Sequence, residues 1–194
     1  ATRSGGALAL FGTGVQTAAY KFHRGRITNN QSSLRGGGVY AAPIALSLTN
    51  CTLDGNTSSG VPDGFYLDDQ QGTQTVADVL IESCIARDPV DQKNTDISII
   101  DLRYSNSLDG TTTGTMNIDE DPQFVDAAAQ IYRLRPGSPC FDTGSPYWLD
   151  ADGSRADMGA TGGAGGQASV PRVETNASAF EFSSGEVDTL VLSN

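Results

Sequence analysis

Apolar residues along most of this chain fall in short runs separated by Gly, Asn, Asp, Ser and Thr. Short runs of β-prone residues that are bounded by turn-forming residues predict β-strands. A helical period holds only over Asp126 to Ile131, which is too short for an independent helix. The pattern therefore predicts an all-β chain of many short strands.

The strand-like runs recur with a loose period. Runs begin at Gly5, Gly36, Gly64 and Asp96, at spacings of 31, 28 and 32 residues. Inside each of the first three repeats a second run ends in a polar turn, and these runs are Phe22–Ile27, Ile44–Leu53 and Val79–Ile85. Gly and Asn suit tight corners because they tolerate positive φ, and Asn side chains can also stack in ladders between repeats.

A single repeat of this kind cannot bury its own apolar face, so the repeats must stack. We therefore predict a parallel β-solenoid of about four coils, with strands that start near Ala7, Val39, Phe65 and Ile97. A β-sandwich is the alternative, but it predicts turn signals every ~8–12 residues and no longer period. The residues expected in the core are Leu8, Leu10, Val39, Ile44, Leu53, Ile81, Ile85, Ile97 and Ile99.

The three cysteines allow at most one internal disulfide. Cys51 and Cys84 occur in equivalent runs of adjacent repeats. Aligning Leu53 with Ile85 places Ser83 opposite Cys51, so this register predicts thiols on different faces rather than a disulfide. Cys140 is expected to be a small buried residue.

Charge limits the possible partners. The chain has 23 acidic against 12 Lys and Arg residues, a net charge of −11. Nucleic acid is excluded as a partner by this balance, since tracking phosphates requires a basic face. No apolar run approaches the roughly 18 residues of a membrane span, so we expect no transmembrane segment. The acidity favours hard cations.

An acidic motif in the C-terminal part is the candidate metal site. Asp150, Asp152 and Asp157 space oxygen ligands around Gly153. Calcium loops use similar spacing, because Ca²⁺ takes six to eight oxygen ligands that a tight turn brings together. The alternative is a plain Asx turn, in which the carboxylates accept hydrogen bonds from backbone N–H groups. Calcium is thus the only cofactor that the sequence suggests.

Basic and aromatic residues suggest a second kind of site. A polysaccharide lyase or hydrolase groove would combine basic residues with carboxylates from neighbouring repeats. The residues available for it are Lys21, His23, Arg24, Arg26, Asp54 and Glu82. Cross-repeat ion pairing on an exposed face is the alternative. Tyr147 and Trp148 either stack on a sugar or close the end of a core.

Two sets of residues resemble known families. Gly36–Tyr40 together with Asn50–Asn56 is similar to right-handed parallel β-helix surface proteins, including polymorphic outer-membrane-protein repeats. The downstream blocks resemble the C-terminal end of choice-of-anchor Q domain proteins, and these blocks are Asp121–Asp126, Tyr132–Gly144, Asp150–Arg155 and Asp157–Ala160. The resemblance implies a right-handed parallel β-helix located outside the cell or on its surface.

The chain then divides into three parts. We expect β-helix coils over residues 1–118, a C-terminal closure or cap over 119–163, and a Gly-rich linker with a β-strand tail over 164–194. The tail contains two β-prone runs, Ala179–Phe182 and Val187–Leu192. Open edges of a solenoid accept further strands, so the tail is expected to dock on its own domain or on another copy. Docking on another copy would give a ring or an open filament, and we expect the filament because a stack of coils propagates along its axis.

These observations predict a non-enzymatic, extracellular structural or adhesive module that assembles through residues 179–192. The alternative is a polysaccharide-binding or polysaccharide-cleaving β-helix fragment, in which carboxylates with shifted pKa values would cluster in a groove. A passive carbohydrate-binding module is a third class. It would expose a row of aromatic residues, and aromatic residues make up only 7% of this chain.

Overall fold

The computed structural model describes residues 4–11, 20–42, 44–68, 78–92, 99–108, 114–163 and 189–192. Strands and turns make up these ranges, and none of their residues is helical, so the predicted all-β class is confirmed. The strands are β1 (Leu8–Phe11), β2 (Tyr20–His23), β3 (Arg26–Thr28), β4 (Gln31–Ser32), β5 (Val39–Ala42), β6 (Leu46–Thr49), β7 (Thr52–Asp54), β8 (Thr57–Ser58), β9 (Val61–Pro62), β10 (Phe65–Leu67), β11 (Asp78–Glu82), β12 (Ile85–Ala86), β13 (Val90–Gln92), β14 (Ile99–Arg103), β15 (Asn106–Ser107), β16 (Phe124–Asp126), β17 (Ile131–Leu134) and β18 (Thr189–Leu192). Over the same part of the chain, no helix has the length and apolar character needed to cross a membrane.

Twelve of the strands form the parallel part of three sheets, and sheet 1 also includes the antiparallel strand β18. Sheet 1 contains β1, β5, β10 and β13, sheet 2 contains β2, β6, β11 and β14, and sheet 3 contains β3, β7, β12 and β15. The chain visits sheets 1, 2 and 3 in turn and then returns to sheet 1, and we call each such set of three strands a repeat. Within each sheet, strands of consecutive repeats lie side by side. This stacking of parallel strands is compatible with the predicted β-solenoid.

The strands that open the first three repeats begin at Leu8, Val39 and Phe65, close to the predicted positions. The predicted opening of the fourth repeat is wrong. The fourth strand of sheet 1 is β13, which pairs with β10, whereas β14 pairs with β11 in sheet 2. Ile97 lies outside the described residues. The error arose because Val90 stands alone among polar residues, so only its pairing with Phe65 identifies the strand.

Apolar side chains of the three sheets point into the space between them. In sheet 1 Leu8, Val39, Phe65 and Val90 stack in one row, and in sheet 2 Phe22, Leu48, Ile81 and Leu102 do the same. All but Val90 are buried, and Val90 packs against the same cluster. Burying one such side chain contributes about 1.5–3 kcal/mol. The predicted core residues Leu10, Ile44, Leu53 and Ile85 are also buried.

A turn of constant geometry joins sheet 2 to sheet 3 in every repeat. Its first residue has positive φ each time, at Arg24, Asn50, Ser83 and Tyr104, with φ between 48° and 54°. Asn accepts this conformation readily, whereas Arg, Ser and Tyr adopt it at some cost. The stacking of adjacent turns therefore imposes the conformation on residues whose own preference opposes it.

The turn controls the register of the cysteines, and the predicted register is wrong. Sheet 3 pairs Thr52 with Ile85 and Leu53 with Ala86. Cys51 and Cys84, each one residue earlier, consequently occupy equivalent positions in adjacent repeats. The backbone N–H of Cys51 donates to the Cys84 Sγ at 3.3 Å, so both thiols lie on the same inner side. The alignment of Leu53 with Ile85 was displaced by one residue because both are apolar.

A ladder of polar side chains follows sheet 3 at the next corner. The Asn30 Nδ2 donates to the Asn56 Oδ1 at 2.9 Å, and the Asn56 Nδ2 donates to the Asp88 Oδ2 at 2.7 Å. The Asn56 Nδ2 also donates to the Ile27 carbonyl at 2.7 Å. Asn56 is completely buried, so each of these groups depends on the ladder for its partner. The predicted stacking of Asn residues between repeats is thus confirmed here.

Replacing Asn56 by Ala is expected to lower the free energy of unfolding by about 1–3 kcal/mol, since buried groups such as the Ile27 carbonyl lose a partner. Chemical denaturation followed by circular dichroism measures this change. Gln31→Ala alters an exposed neighbouring residue and is the matched control, with little expected effect. Equal losses in the two variants would contradict the role given to the ladder.

The C-terminal block, residues 119–163, packs on the outward face of sheet 3. Thr52, Ile85 and Asn106 form that outward row, one from each of three consecutive repeats. The Ala160 N–H donates to the Thr52 Oγ1 at 3.0 Å, and the Asn106 Nδ2 donates to the Cys140 Sγ at 3.2 Å. These contacts place the block along the side of the stack.

Close packing of the block on Ile85 requires glycine at one position. Gly159 has φ of +87°, and a Cβ added there would lie 2.7 Å from the Ile85 Cδ1. Ile85 belongs to a second apolar cluster, separate from the core between the sheets, with Leu134, Cys140 and Met158. The block thus has its own small core, which the outward face of sheet 3 completes.

The tail strand β18 pairs antiparallel with β1 at the edge of sheet 1. Leu192 lies opposite Leu8, and Thr189 lies opposite Phe11. Of the two predicted destinations of the tail, its own domain is the one seen in this single chain. The other predicted tail run, Ala179–Phe182, lies outside the described residues.

Candidate functional site

The candidate site is a cluster of three carboxylates in the C-terminal block. One oxygen from each of Asp142, Asp150 and Asp157 lies within 4.8 Å of the others. Asp150 and Asp157 are buried, and Asp142 is exposed. The cluster therefore has one open side, through Asp142.

Backbone contacts bring the three residues together. The Asp142 N–H donates to the Asp157 Oδ1 at 2.9 Å, and the Asp157 N–H donates to the Asp150 Oδ2 at 3.1 Å. The other oxygen of Asp150 accepts from the Gly163 N–H. The buried carboxylates of Asp150 and Asp157 thus accept hydrogen bonds from backbone N–H groups elsewhere in the block. These hydrogen bonds place the three carboxylates next to one another.

The cluster is tied to the turn between sheets 2 and 3. The Asn50 Nδ2 donates to the Asp157 carbonyl at 2.9 Å, and the Gly159 N–H donates to the Ser83 carbonyl at 2.7 Å. The Asn50 Oδ1 is buried and has no hydrogen-bond partner. Gly163 passes beside it, where a Cβ would lie 3.2 Å from this oxygen. We call the segment from Asp150 to Gly163 the acidic loop. Its position consequently depends on the stacked turns between sheets 2 and 3.

Sequence reasoning named Asp150, Asp152 and Asp157, and the structure brings two of these together. The Asp152 Oδ1 instead accepts from the Ser154 N–H at 3.0 Å and from the Ser154 Oγ at 2.7 Å. Asp152 therefore makes the Asx turn that was the alternative to a metal ligand. Asp142 takes its place in the cluster, and its distance of eight residues from Asp150 carries no local signal.

Burial and the neighbouring charges raise the pKa values of the two buried carboxyl groups of the cluster, Asp150 and Asp157. Burial is the main cause that raises the pKa of Asp157 to about 7, and the charges of Asp150 and Asp142 raise it further. Burial also raises the pKa of Asp150. Such a set of oxygens can take up a proton or hold a hard cation. Calcium binding at this place stays a prediction.

The basic patch and its candidate carboxylates have different partners in the structure. Glu82 accepts from the Trp148 Nε1 at 3.2 Å, and the Trp148 ring lies 6.3 Å from the His23 ring. Burial is the main cause that lowers the pKa of His23. Asp54 lies instead at the far end of sheet 3, where it hydrogen-bonds to Tyr132. Asp54 and Glu82 thus have separate partners, and a groove that combines them with the basic residues stays a prediction.

Tyr147 and Trp148 do not close a core. Tyr147 is 83% exposed and Trp148 is 46% exposed. Their exposure leaves ring surface free to stack on a sugar, as the polysaccharide alternative requires. That alternative also stays a prediction.

Comparison with known proteins gives no match to a family model, to a curated protein or to a solved structure. The resemblance to choice-of-anchor Q domain proteins therefore stays an expectation from the sequence.

The raised pKa of Asp157 predicts a pH-dependent stability. Its folded pKa, about 7, exceeds the value near 3.9 of an unfolded Asp, so the folded state binds the proton more tightly. This contribution is complete below about pH 4 and is lost as the pH rises through 7. Asp157→Asn keeps an oxygen acceptor but cannot titrate. As the pH rises from 5 to 8, the free energy of unfolding of the variant should therefore increase relative to that of the natural chain, by at least about 1.4 kcal/mol.

Thermal unfolding of the two chains at several pH values measures this gain. Asp152→Asn is the matched control, because the exposed Asp152 has a lowered pKa and does not titrate in this interval. A difference between Asp157→Asn and the natural chain that stays constant from pH 5 to 8 would contradict the assignment.

A calcium titration tests the metal prediction separately. Millimolar Ca²⁺ should raise the Tm of the natural chain above its value in chelator, because a cation that binds only the folded state stabilises it. Asp142→Asn should lose this rise, and Asp152→Asn should keep it. Equal Tm values with calcium and with chelator would remove calcium from this site.

Proposed function

We propose that this chain is a structural or adhesive module of an extracellular or cell-surface protein, folded as a right-handed parallel β-helix of about four coils. Three observations support the fold: the constant order of strands, the parallel pairing of consecutive repeats in sheets 1, 2 and 3, and the stacked turns. Right-handedness follows from the strong preference of parallel crossover connections for that hand. The extracellular location follows from the resemblance of Gly36–Tyr40 and of the downstream blocks.

The observation that carries the structural role is the strand β18 on the edge of sheet 1. An edge strand of a stacked sheet presents unpaired N–H and C=O groups that accept another strand. β18 satisfies these groups along β1 by antiparallel pairing of four residues. The chain thus contains both a strand acceptor and a strand that fits it.

The same two parts can join different copies. Residues 164–188 connect the C-terminal block to β18, and these 25 residues could extend over about 80 Å. That length reaches the β1 edge of the same chain and that of a neighbour. Exchange of β18 between copies is a head-to-tail contact, which gives a filament unless the rotation between copies closes it into a ring. The high net charge of −11 opposes association, so salt should favour it.

Deletion of residues 167–194 tests this proposal. The full chain at high concentration and moderate salt should form particles larger than a monomer, and the truncated chain should stay monomeric. Light scattering coupled to size exclusion measures both. If the truncated chain assembles as the full chain does, or if the full chain stays monomeric at every concentration and salt level, β18 does not connect copies.

A double substitution distinguishes the loss of backbone pairing by β18 from the loss of the whole tail. Replacing both Leu190 and Val191 by Pro removes two N–H groups from β18 and should abolish assembly. Val191→Ile keeps the backbone donor and the β-branched side chain, so it should assemble like the natural chain. Assembly that survives the double Pro substitution would contradict strand exchange.

A further inference from the structure

The turns between sheets 2 and 3 stack two thiols in the interior. Cys51 and Cys84 each follow a residue with positive φ, Asn50 and Ser83 respectively. Both cysteines are completely buried. The Ile85 N–H donates to the Cys51 carbonyl at 2.9 Å, as expected for equivalent positions in adjacent strands. The two side chains therefore leave the backbone in the same direction, one above the other.

The separation of the two cysteines suits a covalent bond. Adjacent strands of a sheet lie ~4.7–4.9 Å apart, and disulfides usually join residues whose Cα atoms are ~4.4–6.8 Å apart. The Cys84 Sγ accepts from the Cys51 N–H at 3.3 Å, which places this sulfur beside the Cys51 backbone. To form a disulfide, the two thiols turn from the carbonyls of Thr49 and Glu82 toward each other.

The third thiol is held elsewhere. Cys140 belongs to the apolar cluster of the C-terminal block and accepts from the Asn106 Nδ2 at 3.2 Å. The pair and the single thiol thus lie on opposite faces of sheet 3, inside the stack and outside it. With three cysteines, one must stay unpaired when a disulfide forms, and this arrangement leaves Cys140 as the unpaired one.

We propose that Cys51 and Cys84 form a disulfide when the chain folds in an oxidising compartment, and that this bond joins the second repeat to the third. It would close a loop that contains one full circuit of the stack. The inference is independent of assembly through β18. It concerns the interior of one chain, whereas strand exchange concerns the edge of sheet 1.

The chemistry requires a low-molecular-weight disulfide such as oxidised glutathione. The Cys51 thiolate attacks it, forms a mixed disulfide and releases one glutathione thiolate. Cys84 then loses its proton and attacks the Cys51 sulfur of the mixed disulfide, which releases the second glutathione. Two protein thiols are oxidised, and one molecule of oxidised glutathione is reduced to two of the thiol. Because both cysteines are buried, the exchange takes place before the repeats close over them.

Mass spectrometry tests the proposal on the full chain. The protein is produced in an oxidising periplasm, and in parallel it is refolded from the reduced state in a glutathione buffer. The protein is then unfolded in denaturant without reductant, and its free thiols are alkylated, because all three cysteines are buried in the folded chain. The natural chain should carry one alkyl group, on Cys140, and peptide mapping should find Cys51 linked to Cys84. After reduction and unfolding all three cysteines should be alkylated.

Single variants provide the controls. Cys140→Ser should keep the link, with no alkylated thiol before reduction. Cys51→Ser and Cys84→Ser should each leave two alkylated thiols. The oxidised natural chain should unfold several degrees above the reduced chain, and Cys51→Ser should show no such difference. Three free thiols in folded protein from both preparations, or a link that involves Cys140, would overturn the proposal.

Discussion

In-register parallel pairing between consecutive repeats is the interaction on which the rest of this structure depends. The parallel strands of consecutive repeats in sheets 1, 2 and 3 are hydrogen-bonded in register, so each side chain lies above its counterpart one repeat away. Rows of like side chains follow directly. Apolar rows make the core, amide and carboxylate rows make the ladder of Asn30, Asn56 and Asp88, and a thiol row places Cys84 on Cys51.

The pairing also controls backbone conformation. Positive φ recurs at the same turn position in residues as different as Arg24, Asn50, Ser83 and Tyr104. One turn shape must continue through the stack, because a change of shape in one repeat would break hydrogen bonds to both neighbours. The stack therefore supplies the energy that holds Arg, Ser and Tyr in a conformation which they avoid elsewhere.

The acidic loop depends on the same stack indirectly, through its contacts with the stacked turns. Its two buried carboxylates hold the loop together, while Asn50 and Ser83 hold it against the stacked turns. Burying Asp150 and Asp157 costs energy, and the neighbouring carboxylates add to that cost, which is expressed in the raised pKa values of the two groups. A bound proton lowers that cost, and the predicted calcium ion would lower it in the same way. The predicted pH dependence and the predicted calcium binding therefore have the same physical origin, the burial of two carboxylates in the block.

The sequence by itself determined the all-β class, the stacking of repeats, the first three opening strands and the Asn ladder. Each of these follows from short-range signals, namely apolar runs, Gly and Asn at corners, and a period near 30 residues. Tertiary structure decided the rest. The fourth opening strand, the register of Cys51 and Cys84 and the place of Asp142 are set by hydrogen bonds between residues distant in sequence. A shift of one residue reverses the face of a side chain in a strand. A pattern of apolar residues that tolerates such a shift cannot settle which thiols or carboxylates meet.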